Sequence, residues 1–320
     1  MKVCIGYQSA LEYWRIHRVL SNNSALKGRN IVLPTNPPKT KQVKSSGLKL
    51  PVDIILSNPN NRWHSKTVVC HVISSTMPAG CFIEAESGFE VSSPEFCFLQ
   101  MAGTLSLPRL IELGYELCGS YSLPVASDLK LPERGFYKRL PLTNIKKLTA
   151  FITSMSGFKG HKKATRALRY ILEGSASPME TKLSMLLTLP YQLGGFGLPK
   201  PELNARIVPR KADRRITNKE FYICDLFWPD KGIAVEYNSN QFHTGSTHIT
   251  DDAKKSNTLT AMGVLVIPVT AQQIFDNYEF ERVARVIAKR LGKRLVYKNP
   301  GFAAAHDNLR DILNIESWWS

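Results

Sequence analysis

The sequence has no apolar run close to the roughly 18 to 20 residues that a helix needs to cross a bilayer. Its longest candidates are strand-sized, such as Val264 to Val269, which excludes an integral helical membrane protein. The start, Met1-Lys2-Val3-Cys4-Ile5-Gly6-Tyr7, lacks an apolar segment of secretory length, so the expectation is a cytoplasmic protein. Cysteine is scarce and scattered: the six at positions 4, 70, 81, 97, 118 and 224 form no Cys-x-x-Cys pair and no Cys/His group at zinc spacing. Neither a disulfide framework nor a zinc finger is thereby supported, and reduced, mostly buried thiols are expected. Internal repeats and low-complexity tracts are absent as well. Acidic residues are the minority, 26 against 42 Lys plus Arg, leaving a net charge of +16. Such an excess favours polyanionic partners, nucleic acid or an acidic membrane surface, without choosing between them.

At about 150 residues per domain, 320 residues suggest two domains. The charge is distributed in blocks: residues 1–50 and 151–220 each carry +8, whereas 51–150 and 221–320 are neutral. Part of the first block is the tract Pro34 to Lys49, with Pro37-Pro38, Ser45-Ser46 and Lys39, Lys41, Lys44 and Lys49. It reads as a basic loop without regular helix, either a solvated linker or a loop that tracks phosphates. In the second block Lys162, Arg166 and Arg169 recur at i, i+4 and i+7, flanked by Lys159 and Lys163. With Ala164, Leu168, Ile171 and Leu172 opposite, the spacing predicts an amphipathic helix from Gly160 to Leu172 with one basic face. A helix from Asn144 to Met155 precedes it, joined at Ser156-Gly157-Phe158. The pair is either a helix-turn-helix that touches DNA or two helices that only pack.

Ahead of these, Ser9 to Leu20, Ser93 onward and Leu107 to Tyr115 read as helices, and Pro51 to Leu56 and Thr67 to Ile73 as strands. Cys81 to Ala85 and Ser87 to Val91 are weaker strand candidates. Residues 1–150 therefore read as an α+β region without a catalytic cluster of its own. His17, His64 and His71 fall in different elements and read as structural.

From Ser175 the pattern sharpens. Ser177 and Glu180 have the spacing of a capping box ahead of Leu183, Met185, Leu186, Leu187 and Leu189. Gly194-Gly195-Phe196-Gly197 lacks a following Gly-Lys-Ser/Thr and reads as a bend. Phe221 to Trp228 and Ile233 to Asn238 then read as two strands of a hairpin turning over Pro229-Asp230-Lys231-Gly232. That turn sets Asp225 opposite Glu236, with Asn238 on the face of Glu236. Carboxylates within apolar strands need a partner, and a hard divalent cation such as Mg²⁺ accepts one or two of them with water and phosphate. The competing reading is an edge hairpin with exposed carboxylates, or a buried ion pair to Lys or Arg.

These residues resemble the PD-(D/E)XK nuclease superfamily, and within it bacterial endonuclease-domain proteins related to the very-short-patch-repair nucleases. The likeness rests on Asp225-Leu226-Phe227-Trp228-Pro229, Val235-Glu236-Tyr237-Asn238-Ser239 and Gln241-Phe242-His243. It continues through Asp252-Ala253-Lys254-Lys255, Leu259 and Gly263 to Val269, so that it spans about Ser175 to Leu295. It implies an α/β, restriction-endonuclease-like core, a mixed sheet flanked by helices, in which Glu180, Asp225 and Glu236 hold Mg²⁺ or Mn²⁺. His243 and Asn238 would position or activate water. Asn238 stands where the superfamily has Lys and close relatives Asp, and Lys255 where relatives have Arg; Lys254 or Lys255 is a candidate replacement for the missing cation. Ser92-Ser93-Pro94-Glu95 and the helices after it are faintly similar to the DNA-binding domain of abortive-infection antitoxins.

The expected organisation is an α+β region (1–150), a basic helical connector (151–174), a nuclease-like domain (175–297) and a tail (298–320). The expected activity is metal-dependent cleavage of nucleic acid, DNA before RNA, in a phage-defence or toxin-antitoxin setting, with no membrane partner. Lys159, Lys162, Lys163, Arg166, Arg169, Lys254 and Lys255 would grip the backbone. The alternative is a DNA-binding regulator whose nuclease fold has lost activity.

Overall fold

The computed structural model describes residues 2–17, 31–62, 64–73, 77–85, 88–126, 128, 130–238, 246–295 and 301–315. The chain divides into two compact units, Met1–Ile171 and Leu172–Ser320.

The first unit opens with β1 (Cys4–Ile5), α1 (Tyr7–Ile16), α2 (Thr40–Lys44), β2 (Val52–Leu56) and β3 (Val68–Val72). Then come β4 (Phe82–Glu84), β5 (Glu90–Ser92), α3 (Pro94–Met101), α4 (Leu107–Cys118) and a small ribbon, β6 (Tyr121–Ser122) with β7 (Tyr137–Lys138). It ends in α5 (Ile145–Ser154) and α6 (His161–Leu168). The main sheet has the order β3-β2-β1-β5-β4 and is mixed, β1 running antiparallel to β2 and parallel to β5. Helix α3 is the hub. Ser93 accepts from the Phe96 N–H as N-cap, Pro94 takes the first helical position, and Phe96, Phe98 and Leu99 are fully buried.

Three expectations change here. The tract from Pro34 to Lys49 contains a short helix, α2, because Pro37 and Pro38 lie ahead of its first turn and leave its hydrogen bonds intact. The basic segment expected as a connector, 151–174, belongs to the first unit as far as Ile171. Ala164, Ala167 and Ile171 are buried, and Ile171 packs so closely on Gly114 of α4 that an added Cβ there would lie 2.2 Å from its Cδ1. The expected helix from Gly160 to Leu172 also ends early, at Leu168.

The second unit runs α7 (Pro178–Thr188), β8 (Glu202–Ile207), β9 (Tyr222–Trp228), β10 (Ile233–Asn238), α8 (Ser246–Ala261) and β11 (Leu265–Thr270). It closes with α9 (Ala271–Phe275), α10 (Asn277–Arg290) and α11 (Phe302–Ile312). The sheet order is β11-β10-β9-β8, with β8, β9 and β10 antiparallel and β11 parallel to β10. Both units are thus mixed α and β, with mixed sheets flanked by helices. The hairpin forms as its turn residues require: Pro229–Lys231 make a single turn of 3₁₀ helix, and Gly232 reverses the chain at φ 59°. A Cβ at Gly232 would also meet the Gly263 carbonyl at 2.9 Å.

The expected tail is part of this unit. His306 Nδ1 lies 2.6 Å from the Gly194 carbonyl, Phe302 and His306 pack against Phe196, and Arg310 donates to the Ile274 and Phe275 carbonyls that end α9. A cation over the last carbonyls of a helix satisfies groups that have no partner within it. All six cysteines are buried and none is in a disulfide. Among the described residues no helix is long and apolar enough to cross a membrane.

Candidate functional site

The hairpin brings the carboxylates together. Strand β10 pairs with β9 through Ile233–Trp228, Ala234–Phe227 and Val235–Leu226, and one further step in that register sets Glu236 across from Asp225. The ladder stops at that step: the Tyr237 N–H is taken by Asp225 Oδ2 at 2.7 Å, a side chain standing where the sheet would otherwise continue. On the other side of β9, Asn204 falls between the Leu203–Leu226 and Ala205–Cys224 pairs, level with Asp225. Its backbone is left-handed, φ 48°, a conformation Asn tolerates better than most residues. Asn204, Asp225 and Glu236 therefore form one row across three strands.

Helix α7 adds Glu180. Ser177 accepts from the Glu180 N–H at 3.2 Å and donates to its Oε1 at 2.9 Å, while Glu180 Oε2 accepts from the Ala176 N–H at 2.8 Å. This is the expected cap, except that the carboxylate reaches the N–H of residue 176 instead of that of the N-cap. Asn204 Nδ2 donates to the same Oε2 at 2.6 Å and to the Gly174 carbonyl at 2.9 Å. Asn204 was not foreseeable as a site residue, since one Asn in a strand carries no spacing signal. Asn204→Ala should cost about 1 to 3 kcal/mol, from an orphaned acceptor plus a left-handed Ala. Urea denaturation checks this, and a variant as stable as wild type would refute the role.

Lys255 of α8 supplies the cation. Its Nζ lies 2.7 Å from Glu236 Oε2, with side chains 27% and 19% exposed. The other oxygen, Oε1, is buried and has no hydrogen-bond partner of good geometry. Burial, then the Glu236 and Glu180 charges, push Asp225 up to about 8, against the Tyr237 N–H and Lys255, which pull it down. Burial also raises Glu180, opposed by its three hydrogen bonds. Burial works to lower the Lys255 pKa, but the adjacent Glu236 outweighs it and the pKa lies above its ordinary value. The Cys224 thiol is pushed up by burial and by Glu236. Beside the pair, Glu236, Asn238, Asp252 and Lys255 line a cavity of about 320 Å³.

The expected set of Glu180, Asp225 and Glu236 as three metal ligands is not assembled. Among the described residues no three His, Cys, Asp or Glu side chains converge to hold an ion, and both oxygens of Glu180 are hydrogen-bonded, to Ser177, Ala176 and Asn204. Of the residues expected to grip a nucleic-acid backbone, Lys255 is engaged by Glu236, and Lys163 donates to the Leu105 carbonyl at 2.7 Å. Lys254 is exposed on α8, and Lys159, Lys162, Arg166 and Arg169 are exposed in the first unit. His243 lies outside the described residues. Comparison with protein-family models, curated proteins and solved structures finds no match for this chain.

Proposed function

We propose that the second unit is a Mg²⁺- or Mn²⁺-dependent phosphodiesterase of the PD-(D/E)XK type that cleaves nucleic acid, DNA before RNA, in phage defence or a toxin-antitoxin setting. The observation that carries this reading is the pair Asp225 and Glu236, facing each other from adjacent strands with Lys255 on Glu236. The order helix, three antiparallel strands, helix, parallel strand agrees with such a core.

A hard divalent cation fits the residues present. Two carboxylates share a half-buried site, one is pushed up to about 8 by burial and by the Glu236 and Glu180 charges, and Glu236 Oε1 is buried with no good hydrogen-bond partner. Asp225 and Glu236 would hold the ion, which supplies Lewis-acid polarisation of the phosphodiester and a more acidic water. Lys255 brings the positive charge that Asn238 cannot, placed to meet a phosphate oxygen or orient the attacking water. Glu180 acts at one remove, fixing Asn204 beside Asp225.

The test is cleavage of supercoiled DNA, single-stranded DNA and RNA by the full chain with Mg²⁺, Mn²⁺ or EDTA. Metal-dependent cutting of any of the three supports the reading; no cutting, with DNA binding retained, favours the regulator. That rival draws on one observation, that protein groups already satisfy both oxygens of Glu180 and one of Glu236. For the exposed stripe on α6, the double variant Lys162→Ala and Arg166→Ala should reduce the slope of log affinity against log salt by about 1.8, at about 0.9 per phosphate contact. An unchanged slope would remove α6 from the interface.

A further inference from the structure

The first unit holds a cavity of about 600 Å³ that the reading above leaves unused, a volume in the range of small-molecule sites. Its wall carries Tyr7, Arg62, His71, Gln100, Phe158 and Lys159. These are two fixed cations, three rings and an amide; among the described lining residues none is acidic. Sequence spacing hides the group, because Tyr7 follows β1, His71 is on β3, Gln100 is on α3 and Lys159 lies between α5 and α6.

The wall is built from behind. His71 Nε2 lies 2.7 Å from Asp53 Oδ1, and Asp53 Oδ2 accepts from the Ser9 N–H at 3.2 Å and the Ser9 hydroxyl at 3.1 Å. The hydroxyl thus bonds the carboxylate and not the imidazole, so this is no relay of the acyl-transfer kind. It is an arrangement that orients the His71 ring. The Tyr7 ring stacks on it, centroids 3.8 Å apart and planes within 19°. Gln100 fixes Tyr7 in turn, its Oε1 accepting the Tyr7 N–H at 2.9 Å. Two local costs fall at the same place: Tyr7 is left-handed, φ 50°, and Gln100 Nε2 is buried without an acceptor. Burial and Asp53 push the Tyr7 phenol up while Arg62 pulls it down, which sets the guanidinium within electrostatic reach of that ring.

We propose that this cavity binds a nucleotide, its phosphate paired with Arg62 and Lys159 and its base against the Tyr7 and His71 rings. The chemistry is the same whether the nucleotide is a free nucleoside 5′-monophosphate or the phosphorylated end of a strand. Rings without cations would suit an uncharged aromatic, and cations without rings a bare anion; a wall with both selects a ligand that has both.

The test is calorimetric titration of the full chain in EDTA, which silences any metal-dependent cleavage and so separates this site from the reading of the second unit. The probes are AMP, GMP, CMP and UMP, with adenosine and inorganic phosphate as partial ligands, and trinucleotides with and without a 5′-phosphate. The expected result is saturable binding of at least one monophosphate or phosphorylated trinucleotide, at least tenfold tighter than adenosine or phosphate. Whichever of the two binds tighter identifies the source. Arg62 and Lys159 are exposed, so Arg62→Ala and Lys159→Ala should fold and should each weaken binding about tenfold, equivalent to about 1.4 kcal/mol. Tyr7→Asn keeps a residue that tolerates the left-handed backbone while removing the ring, and should weaken the nucleotide but not phosphate. Absence of saturable binding by the folded wild type, or affinity unchanged in both cation variants, would overturn the proposal.

Discussion

Glu236→Ala should lower metal-dependent cleavage by about two to three orders of magnitude while leaving the fold and nucleic-acid binding near wild type. A bound ion stabilises developing charge by several kcal/mol, and each 1.36 kcal/mol is a factor of ten in rate. Glu236 has one oxygen on Lys255 and the other buried with no good hydrogen-bond partner, so its removal deprives the site of half its carboxylate donors. The structural cost is small by comparison. Lys255 is a quarter exposed and can turn to solvent, and Asp225 loses the neighbour that, after burial, does most to raise it. Glu236→Gln is the companion variant, since it keeps the volume and an acceptor for Lys255 but not the charge. Single-turnover cleavage with saturating Mn²⁺ and a thermal melt of each variant decide the matter. Retention of more than a tenth of the wild-type rate by either would remove Glu236 from the metal site; loss of the folded state by both would make it structural.

The hairpin was legible in the sequence because two local signals agree there. Alternating apolar strands and a Pro-Asp-Lys-Gly turn leave one register that closes, and that register sets Asp225 against Glu236. The capping role of Glu180 was legible for a similar reason, as a short-range exchange between a helix N-terminus and its own first turn. What escaped was long-range. The register of β8 against β9 brings Asn204 level with Asp225, and no periodicity within β8 reports a left-handed residue. Lys255 was foreseen as a possible replacement cation but not as the partner of Glu236, because the depth of α8 on the sheet depends on the packing of Leu259 and Val264 over Tyr222 and Cys224. His71 read as a lone histidine for the same reason. Its partner Asp53 is on the neighbouring parallel strand, two pairs away in the ladder from the residue facing His71, and its stacking partner is near the N-terminus. Burial of α11 was hidden as well, since Phe302, His306 and Arg310 acquire meaning only against Phe196 and the end of α9.

Metal-free protein should lose stability as the pH rises through the neutral range, and Asp225→Asn should abolish most of that loss. The sign follows from linkage. Asp225 has an ordinary value near 3.8 unfolded and is pushed up to about 8 in the folded site, so between those limits the folded chain binds more protons than the unfolded one. The contribution is present in full below about pH 4 and falls by up to about 1.4 kcal/mol per pH unit until the folded carboxyl ionises. An amide at that position carries no charge at any pH, still accepts from the Tyr237 N–H through its oxygen, and removes the slope. Mn²⁺ should act in the opposite sense, raising the melting temperature of wild type more at pH 8 than at pH 5.5, because protons compete with the ion for the same carboxylate. In Asp225→Asn that rise should shrink at both pH values. The measurement is the difference in stability between wild type and variant from pH 5 to 9, with EDTA and with Mn²⁺. A difference independent of pH would show that Asp225 is ionised in the folded chain throughout. A sloping difference with no response to Mn²⁺ would leave a strained carboxylate pair without a metal, the state expected of the regulator.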